Sequence, residues 1–348
     1  MKREVFDINK LVRANIKTLK PYSSARDEYQ AELSDMVFLD ANENPFQNGM
    51  NRYPDPQQTL LKLELSKIKN VPTENILLGN GSDEVLDLII RAFCEPNVDQ
   101  IIVLPPTYGM YQVLANIHAL KVKEIPLSSV FQPEVTRISI ESEAKILFLC
   151  SPNNPTGNSF NLSKMEKLLR GFPGIVVIDE AYIDFSKQES WLDRLDEFPN
   201  LIITQTLSKA YGMAGIRLGI CYASTDIISV LNKIKPPYNI NSLTQISALK
   251  RLRNTSDITS EIVHIKTERE LLFSELKTLS FVLKVYHSDT NFILIKVDNA
   301  DLRYRQLLNK GVVVRNRTNE LGCKNCLRIT VGTPLENQKL INTLKIIQ

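Results

Sequence analysis

Six short, almost uninterrupted apolar runs recur between residues 76 and 222, at 76–78, 101–104, 145–149, 174–178, 201–204 and 218–222. Runs of this length without polar alternation belong to strands whose two faces are both covered, the mark of a mostly parallel sheet under helices. Residues 59–69 and 83–93 carry helical spacing between the first runs, so the rhythm is that of βα units. Beyond Pro236-Pro237, helical periodicity runs over about 243–279, and short strands such as 292–297 and 327–331 then alternate with helices. The 348 residues suffice for roughly two domains. The expected class is α/β. It consists of an N-terminal arm over 1–35, a large domain over 36–245 on a mostly parallel, helix-covered sheet, and a smaller α+β domain over 246–348. A short strand is expected at 36–39, where the arm joins the large domain.

Charge and composition exclude several functions. Lys and Arg total 42 against 39 Asp and Glu, and a net charge of +3 provides no field to gather a polyanion, so nucleic acid is not an expected partner. No run approaches the ~18 apolar residues of a membrane span. The start, Met1-Lys2-Arg3-Glu4-Val5-Phe6-Asp7, opens into no apolar stretch, and the five cysteines are an odd number, so a reducing cytoplasm is expected.

In open α/β sheets, ligands sit beyond the carboxyl ends of the strands, so the residues after each run deserve reading. Gly79-Asn80-Gly81-Ser82-Asp83-Glu84 leads into a helix, a geometry that holds phosphate on backbone amides, although Ser82 as a plain helix cap explains the segment equally well. Asp83 and Glu84 must then turn their side chains away from the anion. Ser151-Pro152-Asn153-Asn154-Pro155-Thr156-Gly157 is a stiff turn around two amides, and Asp179-Glu180-Ala181-Tyr182 sets a carboxylate and a phenol at a strand end; each alone has a structural reading. Thr206, Ser208, Lys209 and Arg217 gather two hydroxyls, an amine and a guanidinium. Together these loops meet the needs of pyridoxal phosphate, whose aldehyde requires a lysine, whose ring nitrogen requires a carboxylate and whose phenolic oxygen requires donors.

In order and spacing, Asn154, Asp179, Tyr182, Lys209 and Arg217 resemble the motifs of fold-type I pyridoxal-phosphate aminotransferases. Within that group the chain is similar to the histidinol-phosphate aminotransferase family, through Pro21-Tyr22-Ser23-Ser24-Ala25-Arg26, Leu39-Asp40-Ala41-Asn42-Glu43-Asn44-Pro45, Arg52-Tyr53-Pro54-Asp55 and Leu327-Arg328-Ile329-Thr330-Val331-Gly332-Thr333. The resemblance implies that Lys209 binds the cofactor aldehyde as a Schiff base and Asp179 pairs with the ring nitrogen. It gives Asn154 and Tyr182 to the ring hydroxyl and stacks Tyr108 on the ring. The phosphate falls to the amides of Ser82 and Asp83, the hydroxyls of Thr206 and Ser208, and Arg217. Tyr53 is implied to reach the neighbouring site of a homodimer. Arg328 is implied to clamp a carboxylate, with Tyr22, Asn42 and Arg315 around the substrate. The implied reaction is ping-pong exchange of an amino group between glutamate or 2-oxoglutarate and imidazole-acetol phosphate or L-histidinol phosphate, in histidine biosynthesis.

A broad aromatic aminotransferase or a threonine-phosphate decarboxylase would share the same cofactor residues. A nucleotide site at Gly79-Asn80-Gly81 lacks a third glycine, because Glu84 stands there. Cys323 and Cys326 have half the spacing of a zinc site, but no second pair follows and His118, His264 and His287 show no ligand spacing to them, so no metal is expected.

Overall fold

Consecutive residues of the apolar runs go to opposite faces of one sheet, which is why those runs contain so few polar positions. Leu147, Leu149, Val176, Ile178, Leu201 and Ile203 enter one core, while Ile146, Phe148, Ile175, Val177 and Ile202 enter another on the reverse face. The computed structural model describes residues 6–22, 37–141 and 143–347. Its larger sheet contains β1 (Ile76–Asn80), β2 (Gln100–Val103), β3 (Lys121–Glu124), β4 (Ile146–Cys150), β5 (Ile175–Asp179), β6 (Leu201–Thr206) and β7 (Leu218–Ala223). Their order is β1-β7-β6-β5-β4-β2-β3. Strands β3, β2, β4, β5 and β6 pair in parallel, and β7 runs antiparallel to both β1 and β6. The α/β class with a mostly parallel, helix-covered sheet is therefore what the chain adopts.

A smaller antiparallel sheet follows, formed by β8 (Val282–Val285), β9 (Phe292–Val297), β10 (Arg315–Asn316) and β11 (Cys326–Thr330), in the order β10-β11-β9-β8. Its core joins Ile293, Ile295, Leu327 and Ile329 to Leu272, Leu276, Leu340 and Leu344 from two helices. The helical periodicity expected over 243–279 is two helices, Ser242–Leu252 and Thr255–Leu276, because Asn254 between them leaves helical backbone angles. The first of these, within which the expected division at residue 245 falls, sends Ala248 and Leu252 into the core of the larger sheet. The second reaches both units, with Ile258 in the larger core and Leu272 and Leu276 in the smaller.

Two other differences from expectation concern strands. Residues 37–39 form no strand: Val37 and Leu39 are 78% and 87% exposed, and no described strand lies beside them to complete a ladder. Conversely β3, Lys-Val-Lys-Glu, has no apolar run to announce it, since it is an edge strand whose charges face solvent and discourage further pairing. No described helix is long and apolar enough to cross a membrane.

Because β7 is reversed, its start lies at the same edge of the sheet as the ends of β1, β4, β5 and β6. Arg217 and Gly219 thereby join the loops that follow those strands.

Candidate active site

At the edge of the sheet two glycines bring a helix start against β7. Gly81 has φ +77°, and a Cβ there would lie 2.5 Å from Nη2 of Arg217; a Cβ on Gly219 would lie 2.3 Å from the backbone of Gly81 and Ser82. Only glycine lets β7 and the first turn of helix Gly81–Phe93 approach this closely. The Gly81 amide donates to the Arg217 carbonyl at 2.9 Å, while the amides of the next turn have no partner within the helix and carry its positive dipole end. Thr206 Oγ1 lies 3.0 Å from Ser208 Oγ and 3.1 Å from the Leu218 carbonyl, so both hydroxyls are fixed beside this turn. Glu84 turns back to accept from the Asn80 amide and from Asn239. Asp83 does not turn away: its carboxylate accepts from the Tyr108 hydroxyl at 3.0 Å and lies 3.7 Å from Arg217. The guanidinium attracts it.

At the end of β5 the buried carboxylate of Asp179 accepts from the Tyr111 hydroxyl at 2.6 Å and from the Ala181 amide at 3.2 Å. Burial pushes its pKa up, and these hydrogen bonds pull against that. Among the described residues no lysine or arginine is bonded to it, which leaves a carboxylate in a dry setting without its own cation. Tyr111 is held by stacking on Phe148, with ring centroids 4.6 Å apart. Buried Tyr182 packs edge-on to Phe292 of the smaller sheet, and burial raises its phenol pKa. Asn154, after β4, accepts from Nη1 of Arg328 on β11, so its own Nδ2 remains a donor and the two sheets are bonded across the cleft.

Lys209 lies on the connection from β6 to β7, with its Nζ 5.7 Å from the Tyr182 ring centroid. Desolvation by the surrounding protein lowers its pKa first, and the guanidiniums of Arg328 and Arg217 lower it further, against the opposing charges of Asp179 and Asp83.

Residues 27–344 match the family described as aminotransferase class I and II. The chain belongs to the class I and II aminotransferases. Over 345 residues, 98% of this chain and 99% of the relative, it is 61% identical to a Flavobacterium johnsoniae protein named histidinol-phosphate aminotransferase. Its fold is similar to the crystal structure of the histidinol-phosphate aminotransferase from Clostridium acetobutylicum, with a TM-score of 0.80, 25% identity and coverage of 86% of this chain and 91% of that one. A histidinol-phosphate aminotransferase from Sinorhizobium meliloti, solved in complex with pyridoxal-5'-phosphate, shares the fold at a TM-score of 0.77 and 20% identity, covering 85% of this chain and 84% of that one.

In this aminotransferase one cavity of about 360 Å³ brings together Ser82, Asp83, Tyr108, Asn154, Asp179, Tyr182, Thr206, Ser208, Lys209 and Arg217, with Arg315 and Arg328 on the wall from the smaller sheet. Three expected residues lie elsewhere in the single chain. Tyr53 and Asn42 line a separate cavity with Asn241 and Leu243, where Tyr53 stacks on Tyr238 at 4.5 Å, and Tyr22 is 74% exposed. Sequence reading did not single out Tyr111, which stands three residues beyond Tyr108 in the same Pro106-to-Tyr111 segment and holds Asp179. It also missed Arg317, although period-two spacing from Arg315 was a signal available for it.

Proposed function

We propose that this aminotransferase uses pyridoxal 5'-phosphate to exchange an amino group between glutamate or 2-oxoglutarate and L-histidinol phosphate or imidazole-acetol phosphate. The observation that carries the reading is the charge layout of the cavity. An anion end at Arg217, Thr206 and Ser208 and a second at Arg315 and Arg328 flank Lys209 and the cation-less Asp179. The residues fit the cofactor, since a buried carboxylate lacking a cation suits a protonated ring nitrogen and the glycine-lined helix start suits a phosphate.

When bound, pyridoxal phosphate supplies an electrophilic aldehyde and a ring that takes up the charge released at the substrate carbon. Lys209 Nζ would hold the aldehyde and, as a free amine, would carry the proton on and off the substrate carbon; its depressed pKa favours the neutral amine this needs. Asp179, held by Tyr111 and Ala181, would pair with the ring nitrogen, whose positive charge would favour the ionised carboxylate. Asn154 Nδ2 and the Tyr182 hydroxyl would donate to the cofactor's phenolic oxygen, and Tyr108, which lines the same cavity, would pack against its ring. The amides of Ser82 and Asp83, with Thr206, Ser208 and Arg217, would hold the phosphate. Arg328 and Arg315 bind the anionic group of either substrate, because a guanidinium accepts carboxylate and phosphate oxygens alike.

Tyr53, with Tyr22 and Asn42, belongs in this reading to the site of a second copy. The exposed apolar side chains Val37, Leu39, Phe46 and Leu243 near that surface support a homodimer. All five cysteines are unpaired, which suits a cytoplasmic setting.

The test is the visible spectrum of the purified protein. Pyridoxal phosphate is expected to give a visible band that glutamate and L-histidinol phosphate, added to separate portions, each convert to a shorter-wavelength form. Conversion by aromatic amino acids but not L-histidinol phosphate would replace the reading with a broad aromatic aminotransferase. Carbon dioxide release from threonine phosphate would replace it with a decarboxylase.

Gly81→Ala should weaken the cofactor about 10-fold, the order of one charge-assisted hydrogen bond, because its Cβ displaces the Arg217 guanidinium. Absorbance titration with pyridoxal phosphate reads this directly, and an unchanged affinity would remove Arg217 from the phosphate site.

A further inference from the structure

Arg317 follows β10 and continues its ladder, donating its backbone amide to the Cys326 carbonyl at 2.9 Å. Two residues beyond Arg315, it returns to the same side and lines the same cavity as Arg315 and Arg328. Its side chain is only 17% exposed. Of its nitrogens, Nη1 donates to Glu320, Nε is buried without a partner, and Nη2 makes no hydrogen bond among the described residues. Glu320 Oε2 is likewise buried and unpartnered. A guanidinium and a carboxylate can form two parallel bonds, and this pair makes one, so Glu320 fixes Arg317 without saturating it.

The wall therefore holds three guanidiniums and one carboxylate, a surplus of two positive charges. A carboxylate presents two oxygens and one charge, which Arg328 and Arg315 satisfy between them. A phosphomonoester presents a third oxygen and a second charge, for which a further donor must be present. We propose that Arg317, positioned by Glu320, is the specificity-determining residue that favours a phosphomonoester over a carboxylate at the far end of the amino donor. This deepens the proposed reaction and rests on it.

The test uses the full chain loaded with pyridoxal phosphate, as wild type, Arg317→Gln and Arg317→Lys. Each half reaction is followed by the absorbance change with L-histidinol phosphate and with glutamate, and inorganic phosphate is titrated into the same proteins by calorimetry. Arg317→Gln is expected to lower kcat/KM for L-histidinol phosphate by about 10- to 30-fold, the loss of one charge-assisted contact, chiefly through KM. The glutamate value should change by less than about threefold. Phosphate affinity should fall in parallel with the first effect, and Arg317→Lys should recover part of it. Equal losses with both donors, a loss confined to kcat, or unchanged phosphate affinity would each overturn the assignment. If wild type ignores L-histidinol phosphate, the proposed reaction fails, and the phosphate titration still decides whether Arg317 prefers phosphate.

Discussion

Lys209→Ala is expected to abolish amino-group transfer, lowering kcat by on the order of 10⁴-fold or more, and to remove the visible band that pyridoxal phosphate gives with the wild-type protein. The size of the effect follows from two roles falling on one atom. Nζ of Lys209 is the only amine in the cavity among the described residues, so no neighbour can bind the aldehyde or carry the proton in its place. Its environment serves the second role, because desolvation and two guanidiniums disfavour the charged form. Truncation removes a side chain that faces the open cavity, so the fold should survive and circular dichroism should match wild type. A variant with wild-type absorbance and turnover would refute the assignment of the site.

Asp179→Asn separates function from stability by moving them in opposite directions. Catalysis should drop by on the order of 10³-fold, since a neutral amide cannot balance the charge of a protonated ring nitrogen in a low-dielectric site. In the cofactor-free protein, burial acts against the carboxylate and, among the described residues, no basic side chain is bonded to it, so replacing it by an isosteric amide should leave Tm unchanged or raise it. Scanning calorimetry without cofactor and turnover with it give the two readings. A fall in Tm with full activity would mean that Asp179 is only a structural anchor for Tyr111.

The larger sheet was legible in the sequence because a strand covered on both faces must be apolar along its length, as Ile146–Cys150 and the first four residues of Ile175–Asp179 are. Edge strands obey no such rule, and β3 with its three charges was invisible for that reason. The reading frame of residues after strands found Asn154, Asp179, Tyr182 and Lys209. Arg217, which precedes a strand, came from clustering and resemblance, and the reversed direction of β7 explains its place. What no local pattern could supply was contact across the cleft: the bond from Arg328 to Asn154 joins residues 174 positions apart. Nor could it supply the hold of Tyr111 on Asp179, which depends on the packing of a helix against Phe148. The 37–39 segment was misread because an apolar run predicts burial against something, and the single described chain places no strand there.

The connection that carries Lys209 is tied down at both ends. Leu207 donates to the Leu218 carbonyl at 3.1 Å and Met213 donates to the Leu207 carbonyl at 2.9 Å, while Gly212 closes a turn onto Lys209 itself at 3.0 Å. In the proposed reaction, an amine released from such a ring of chain has nowhere to diffuse. Its effective molarity at the reacting carbon is then set by the short swing of one side chain, and well-oriented intramolecular groups reach roughly 10⁵ M or more. The same residue can let go and act again at once, with no second base to be recruited from solution.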